Sequence, residues 1–217
     1  MTAEQEDAPD KRAVIVETRT STAIVRLNRP IERNTLSVAT LEELDAVVSA
    51  LVTRADLSAI IFTGTGDVFA SGANIRELRA LTPETAVEFA QRGQRLFQKI
   101  ADATQITIAA VNGYCMGGGL DLALACNLRY ASPDAVFAHP GARLGIITGW
   151  GGTQRLPRLI GAARTLEMFV TGKRLTSREA IDMGLVSEIG DPVLDHAYEV
   201  ARRYAHPHPG SRQTPSS

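Results

Sequence analysis

Two stretches of the sequence place small residues where a chain would leave a sheet. The first is Phe69-Ala70-Ser71-Gly72-Ala73-Asn74-Ile75-Arg76, after the apolar run 58–63. The second is Asn112-Gly113-Tyr114-Cys115-Met116-Gly117-Gly118-Gly119-Leu120-Asp121, after the run 106–111 and entering a helix. Small residues let a ligand approach the main chain closely, and free N–H groups at a helix start attract negative oxygen. Two such loops facing one another would make an oxyanion hole, a pair of amides that stabilises charge developing on a carbonyl oxygen. Taken singly, each glycine run equally serves a tight turn or close helix packing, and spacing alone leaves that alternative open.

Other chemistries find no support. There is no G-x-x-x-x-G-K-[ST], no G-x-S-x-G and no H-E-x-x-H. Gly64-Thr65-Gly66 fails as a dinucleotide fingerprint because Phe69 stands at its last position. No Cys/His cluster has zinc spacing. His206 and His208 lie in a proline-rich tail and are read as having no role. Cys115 and Cys126 do not amount to a disulfide framework.

Strands and helices that would position the two loops alternate along the chain. The β-branched runs 13–18 and 22–28 predict a hairpin. Val38, Leu41, Leu44, Val47, Val48 and Leu51 recur at helical spacing, so a helix is expected over 37–54. Thr40 with Glu43 resembles a capping box there, and Ser37 is an alternative cap. A strand is expected over 58–63. Thr82-Pro83-Glu84 is a helix start, with a cap, proline at the first helical position and an acid near the positive dipole end. That helix should run to about 102. Further strands are expected at 106–111, 128–131 and 135–138. Further helices are expected at 120–126, 152–160, 162–171, 177–183 (stopped by Gly184) and 192–204. This alternation predicts an α/β fold with a largely parallel sheet.

A chain of 217 residues can bury roughly 70% of its unfolded surface as one sizeable domain. We expect a core over 12–190, a short C-terminal helix over 191–205, and polar tails at 1–11 and 206–217. The 23 basic and 24 acidic residues leave a net charge of −1, which argues against a nucleic-acid or anionic-membrane binder. The acidic N-terminus is no signal peptide, and no apolar run approaches the roughly 18–20 residues of a membrane span. A cytoplasmic location is the default expectation.

Five motifs occur in a telling order: Leu27-Asn28-Arg29-Pro30 with Asn34 downstream, Ser71-Gly72-Ala73-Asn74, Gly117-Gly118-Gly119, Gly151-Gly152-Thr153-Gln154-Arg155-Leu156, and Leu175-Thr176-Ser177-Arg178-Glu179-Ala180. Together they resemble the crotonase superfamily, the enoyl-CoA hydratase/isomerase group, over nearly the whole chain. The resemblance implies a spiral of ββα units with two roughly perpendicular sheets, assembled as a homotrimer or hexamer. It implies an acyl-CoA thioester as substrate, with no further cofactor and no metal. By motif position the oxyanion-hole amides are those of Ala73 and Gly118. Arg29, Glu32, Ser71, Gly72, Ile75 and Gly117 would cradle the coenzyme. Arg76 would reach a CoA phosphate or stand as a solvated surface arginine. Gly149 would offer an N–H to a catalytic water.

The same resemblance exposes departures. Hydratases of this kind carry two glutamates that grip one water. The first position is Asp121 here, one methylene or about 1.5 Å shorter. The second follows the proline of a Gln-Pro-Glu segment, and here His139-Pro140-Gly141 leaves Gly141 without a carboxylate. Each positioned acid or base is worth roughly 10²–10⁴ in rate. Asp121 is read either as an acid/base or as a helix N-terminal aspartate that complements the dipole. His139 is the nearest titratable substitute, but strand alternation would turn it from the pocket, leaving a structural hydrogen bond as its alternative role. Arg143 is a candidate for entering the pocket to bind a carboxylated substrate. Trp150 replaces a small residue and would reshape the acyl pocket. The family's C-terminal helical arm is expected to be shortened. The readings carried forward are an enoyl-CoA hydratase, a single-carboxylate isomerase, a decarboxylase or thioesterase, and a non-catalytic acyl-CoA-binding subunit.

Overall fold

The computed structural model describes residues 12–205. The readings made for 1–11 and 206–217, those of His206 and His208 included, lie outside the described residues. The chain runs β1 (Val14–Arg19), β2 (Thr22–Leu27), β3 (Thr35–Leu36), α1 (Val38–Val52), β4 (Ala59–Gly64), β5 (Val68–Ala70), β6 (Gly72–Ala73), α2 (Ile75–Arg79) and α3 (Pro83–Ala101). It continues with β7 (Ile106–Val111), β8 (Tyr114–Met116), α4 (Gly118–Ala125), β9 (Leu128–Ala131), β10 (Val136–Ala138), α5 (Gly152–Ile160) and α6 (Ala162–Thr171). It closes with β11 (Leu175–Thr176), α7 (Ser177–Asp182), β12 (Glu188–Ile189) and α8 (Val193–Ala205). Single turns of 3₁₀ helix occupy Pro30–Glu32 and Pro140–Leu144.

The main sheet has the order β1-β2-β4-β7-β9-β12. Only the β1–β2 hairpin is antiparallel, and every later neighbour runs parallel. A parallel sheet is covered on both faces, so its strands are apolar throughout. Every residue of β4 is buried accordingly. Alternation then sends Ile60 and Phe62 to one face and Ala59 and Ile61 to the other. The first face meets Leu41, Leu44 and Val48 of α1 and Leu96, Phe97 and Ile100 of α3. The second meets Val193, Ala197 and Ala201 of α8.

A smaller sheet, β11-β10-β8-β5, and the parallel pair β3–β6 complete the framework. Both are built from two- to three-residue segments, too short to display a period, and none of β3, β5, β6, β8, β11, β12 or α2 was anticipated. One capping assignment is corrected. Ser37, not Thr40, caps α1, its hydroxyl accepting from the Thr40 N–H at 3.2 Å. Thr40 is buried inside the helix, and Glu43 instead accepts the Ala13 and Val14 N–H groups at 3.1 and 3.0 Å. Glu43 thereby ties α1 to the start of the first strand.

Candidate active site

The β3–β6 pair sets Gly72 and Ala73 beside the entry to α4. Gly72 holds φ +92°, and a Cβ there would lie 2.8 Å from the Met116 carbonyl oxygen and 3.0 Å from the Gly118 nitrogen. The two glycine-rich loops are therefore pressed main chain to main chain. Gly118 opens α4, so its amide has no acceptor within the helix. A Cβ built on Gly118 would stand 3.5 Å from the Ala73 nitrogen.

Asn34 braces this arrangement from beneath. Buried and left-handed at φ 49°, it accepts the Arg29 N–H through Oδ1 at 2.8 Å. Its Nδ2 donates to the carbonyls of Thr65 at 3.1 Å and Val68 at 2.6 Å. One side chain thus joins the Asn28–Asn34 turn to both ends of the loop that leads into β5.

A cleft of about 850 Å³ opens over the two loops. It is lined by Ala73, Gly118, Asp121 and Gly141, and by Glu32, Ser71, Gly72, Ile75, Arg76, Gly117, Gly149 and Trp150. Arg29, expected to cradle the coenzyme, is not on its wall. It precedes the 3₁₀ turn, and its main chain is occupied by Asn34 Oδ1, the Glu32 N–H and the Asn34 N–H. Arg143 does not enter the cleft either. It is exposed, and its guanidinium passes close to Gly172 at the end of α6, because the 3₁₀ turn projects it that way. Ser71 shares a hydroxyl contact of 2.9 Å with Thr35. Asn74 caps α2 by accepting the Arg76 N–H at 2.9 Å, which leaves the Ile75 and Arg76 side chains at the mouth.

Asp121 sits in the first turn of α4 and is fully buried. Thr148 donates its hydroxyl to Oδ2. His139 brings Nε2 to 3.2 Å from Oδ1, within ion-pair distance but not aligned as a hydrogen bond, so both atoms are otherwise unpartnered. The expectation that His139 faces away is corrected: it lines the cleft beside Asp121. Strand β10 ends at Ala138, and His139 (φ −117°, ψ 82°) already turns into the 3₁₀ segment, so strand alternation no longer governs its direction. Gly141 is not simply an empty position, since a Cβ there would come within 2.7 Å of the Ile146 carbonyl oxygen.

Trp150 is buried across the first turn of α4. A Cβ on Gly118, or on Gly93 in mid-α3, would overlap its ring. Phe89 and Phe97 flank it at 5.3 and 5.8 Å, and its Nε1 donates to the Phe89 carbonyl at 3.3 Å. Gln94 donates to the Gly149 carbonyl at 2.7 Å and fixes the neighbouring turn. The apolar wall formed by Phe89, Ala90, Leu144, Ile146 and Ile147 was not anticipated, nor was Thr148. Its only sequence signal was a hydroxyl two residues before Trp150.

The nearby thiols are inert. Burial, with the Asp121 charge second, pushes Cys115 well above the usual range, and burial raises Cys126 to about 12. Burial lowers the Arg155 guanidinium, while Asp121 pulls it back up. Among the described residues no group of three His, Cys, Asp or Glu side chains is placed to hold a metal, and no helix is long and apolar enough to cross a membrane.

Comparison with known proteins agrees with this geometry. The family model described as enoyl-CoA hydratase/isomerase matches residues 17–214. A short-chain-enoyl-CoA hydratase from Clostridium acetobutylicum is 35% identical over 193 residues, 88% of this chain and 74% of that protein. The structure of Pseudomonas aeruginosa DspI aligns with a TM-score of 0.87 at 32% identity, covering 95% of this chain and 85% of that one. An enoyl-CoA hydratase from Bacillus anthracis aligns with a TM-score of 0.85 at 34% identity, covering 89% and 77%. The α/β architecture is thus the crotonase-like one that the motifs imply. The chain belongs to the enoyl-CoA hydratase/isomerase family.

Proposed function

We propose that the chain is an acyl-CoA-processing enzyme of the enoyl-CoA hydratase type, adding water across the double bond conjugated to a thioester. The observation that carries this reading is the burial of the Asp121 carboxylate in the same cleft as the closely apposed Ala73 and Gly118 main chains. The Ala73 and Gly118 amides hold the thioester oxygen as it gains enolate charge. Removing one such donor typically costs about 2.7–4 kcal/mol of barrier. Asp121, oriented by Thr148, takes the proton of the attacking water. The coenzyme lies over Glu32, Ser71, Gly72, Ile75 and Gly117, with Arg76 at the mouth for a phosphate. The acyl chain follows the apolar wall under Trp150, and Gly149 contributes an N–H to the water. No cofactor beyond the substrate's own CoA is needed for this chemistry. The same reading takes the protein as a cytoplasmic homotrimer or hexamer, a state that light scattering of the purified chain checks.

A second reading is favoured by Gly141. With one carboxylate, Asp121 can shuttle a proton between two carbons and move the double bond, which makes the chain an isomerase. Incubation with enoyl-, 3-hydroxyacyl- and malonyl-type CoA esters, followed by mass spectrometry, separates hydration, isomerisation, decarboxylation, hydrolysis and inert binding. Asp121→Ala should abolish turnover of the enoyl esters while leaving butyryl-CoA binding by calorimetry intact. Failure of every enoyl-CoA to gain water or exchange an α-proton in deuterated water would reject the hydratase reading.

A further inference from the structure

Asp121 and His139 are the only pair of oppositely titrating side chains buried together on the described wall of the cleft. Three features hold them there. Thr148 occupies Oδ2 of the carboxylate and leaves Oδ1 for the imidazole. Gly152 opens α5 against both: a Cβ there would overlap Oδ1 and lie 3.1 Å from Nε2. Phe169 of α6 stands edge-on to the imidazole at 5.0 Å and closes its other side. A purely structural histidine would be expected to spend its nitrogen on an aligned hydrogen bond. Here Nε2 and Oδ1 are both buried and have no aligned partner.

We propose that His139 and Asp121 work as one acid–base unit that takes the place of paired carboxylates, with His139 the positioning and proton-holding partner of Asp121. This rests on the reading of Asp121 as the group that handles the water proton. As the water oxygen bonds to Cβ of the enoyl thioester, one O–H bond breaks and its proton passes to Asp121. The C=C electron pair moves onto the thioester as the enolate. The unit then carries one extra proton, which it delivers to Cα, and it returns to its starting state. The other polar groups facing the unit are the Thr148 hydroxyl, the Arg155 guanidinium of α5 and the Cys115 thiol of β8, which stays neutral.

The test uses the full chain, with His139→Gln and His139→Ala compared with wild type on crotonyl-CoA. His139→Gln keeps an amide that can touch Asp121 but holds no extra proton. The expected result is a kcat lower by about 10²-fold or more, with KM and butyryl-CoA affinity nearly unchanged. The pH profile of kcat should lose one limb relative to wild type, because one of the two groups proposed to act together is gone. Added imidazole should restore part of the rate to His139→Ala, a readout independent of how well the glutamine variant folds. Wild-type rate and profile in His139→Gln would overturn the inference, as would a slow variant that keeps both limbs. A wild-type chain inert on every enoyl-CoA removes the hydratase reading itself, whereas an active chain indifferent to residue 139 removes only the pair.

Discussion

At the residue scale the site depends on side chains that are missing as much as on those present. Trp150 lies flat only because Gly93 and Gly118 offer no Cβ, although glycine in mid-helix costs α3 roughly 1 kcal/mol relative to alanine. Gly141 is the converse case. Its sequence position suggests that a glutamate there would complete a carboxylate pair. The 2.7 Å approach to the Ile146 carbonyl says otherwise. Gly141→Glu is expected to leave hydration unrestored and to destabilise the chain by about 1–3 kcal/mol, as the 3₁₀ turn is forced off its contact. Crotonyl-CoA turnover and the urea midpoint check this together. A gain in rate at unchanged midpoint would show that the loop yields freely.

At the element scale the decisive pieces are the shortest. The pair β3–β6 has two residues per strand, yet it sets the Ala73 main chain against α4. Such a pair cannot hold itself together, so its geometry is borrowed from Asn34 and from the Ser71 N–H, which donates to the Arg33 carbonyl at 3.1 Å. Asn34→Ala leaves the part-buried Arg29 N–H and Thr65 carbonyl without this partner, and leaves the buried Val68 carbonyl with only Asn112 Nδ2 at 3.4 Å. Each such group costs about 1–3 kcal/mol when unsatisfied, so a loss of at least about 2 kcal/mol in denaturant unfolding is expected. Turnover should fall by more than stability alone predicts, because the Ala73 amide shifts with the turn. The motif made Asn34 visible in the sequence, but its partners at Thr65 and Val68 lie more than thirty positions away and carried no local signal.

At the scale of the whole molecule the parallel sheet and its two layers of helices enclose both cysteines. Burial raises Cys126 from 9.0 to about 12 and Cys115 well above 9.0. For a thiol, a raised folded-state value means that the fold favours the protonated form. The unfolded chain releases those protons first, so stability is level below about pH 8.5 and falls as pH rises from there towards about 12. Urea midpoints measured across that range should decline. Cys126→Ala should flatten part of the slope while leaving the midpoint near pH 7 lower through lost packing. Iodoacetamide should label neither cysteine in the native chain at about pH 8, where both remain neutral and enclosed.

What the amino-acid order determined by itself was whatever depends on neighbours along the chain. The helical period of α1, the Thr82-Pro83-Glu84 start of α3, the β-branched run of β2, the apolar run of β4 and the small-residue loops all follow from local sterics and binary pattern. So did the family motifs, because glycine and asparagine are read one position at a time. Tertiary structure alone decided where chain segments far apart in sequence meet. It turned His139 toward Asp121 where β10 gives out, brought Thr148 onto the same carboxylate, withdrew Arg29 and Arg143 from the cleft, and slid Trp150 between two glycines. The reason is that a buried polar or aromatic group takes its direction from the space and partners that packing leaves it, and no local period encodes those.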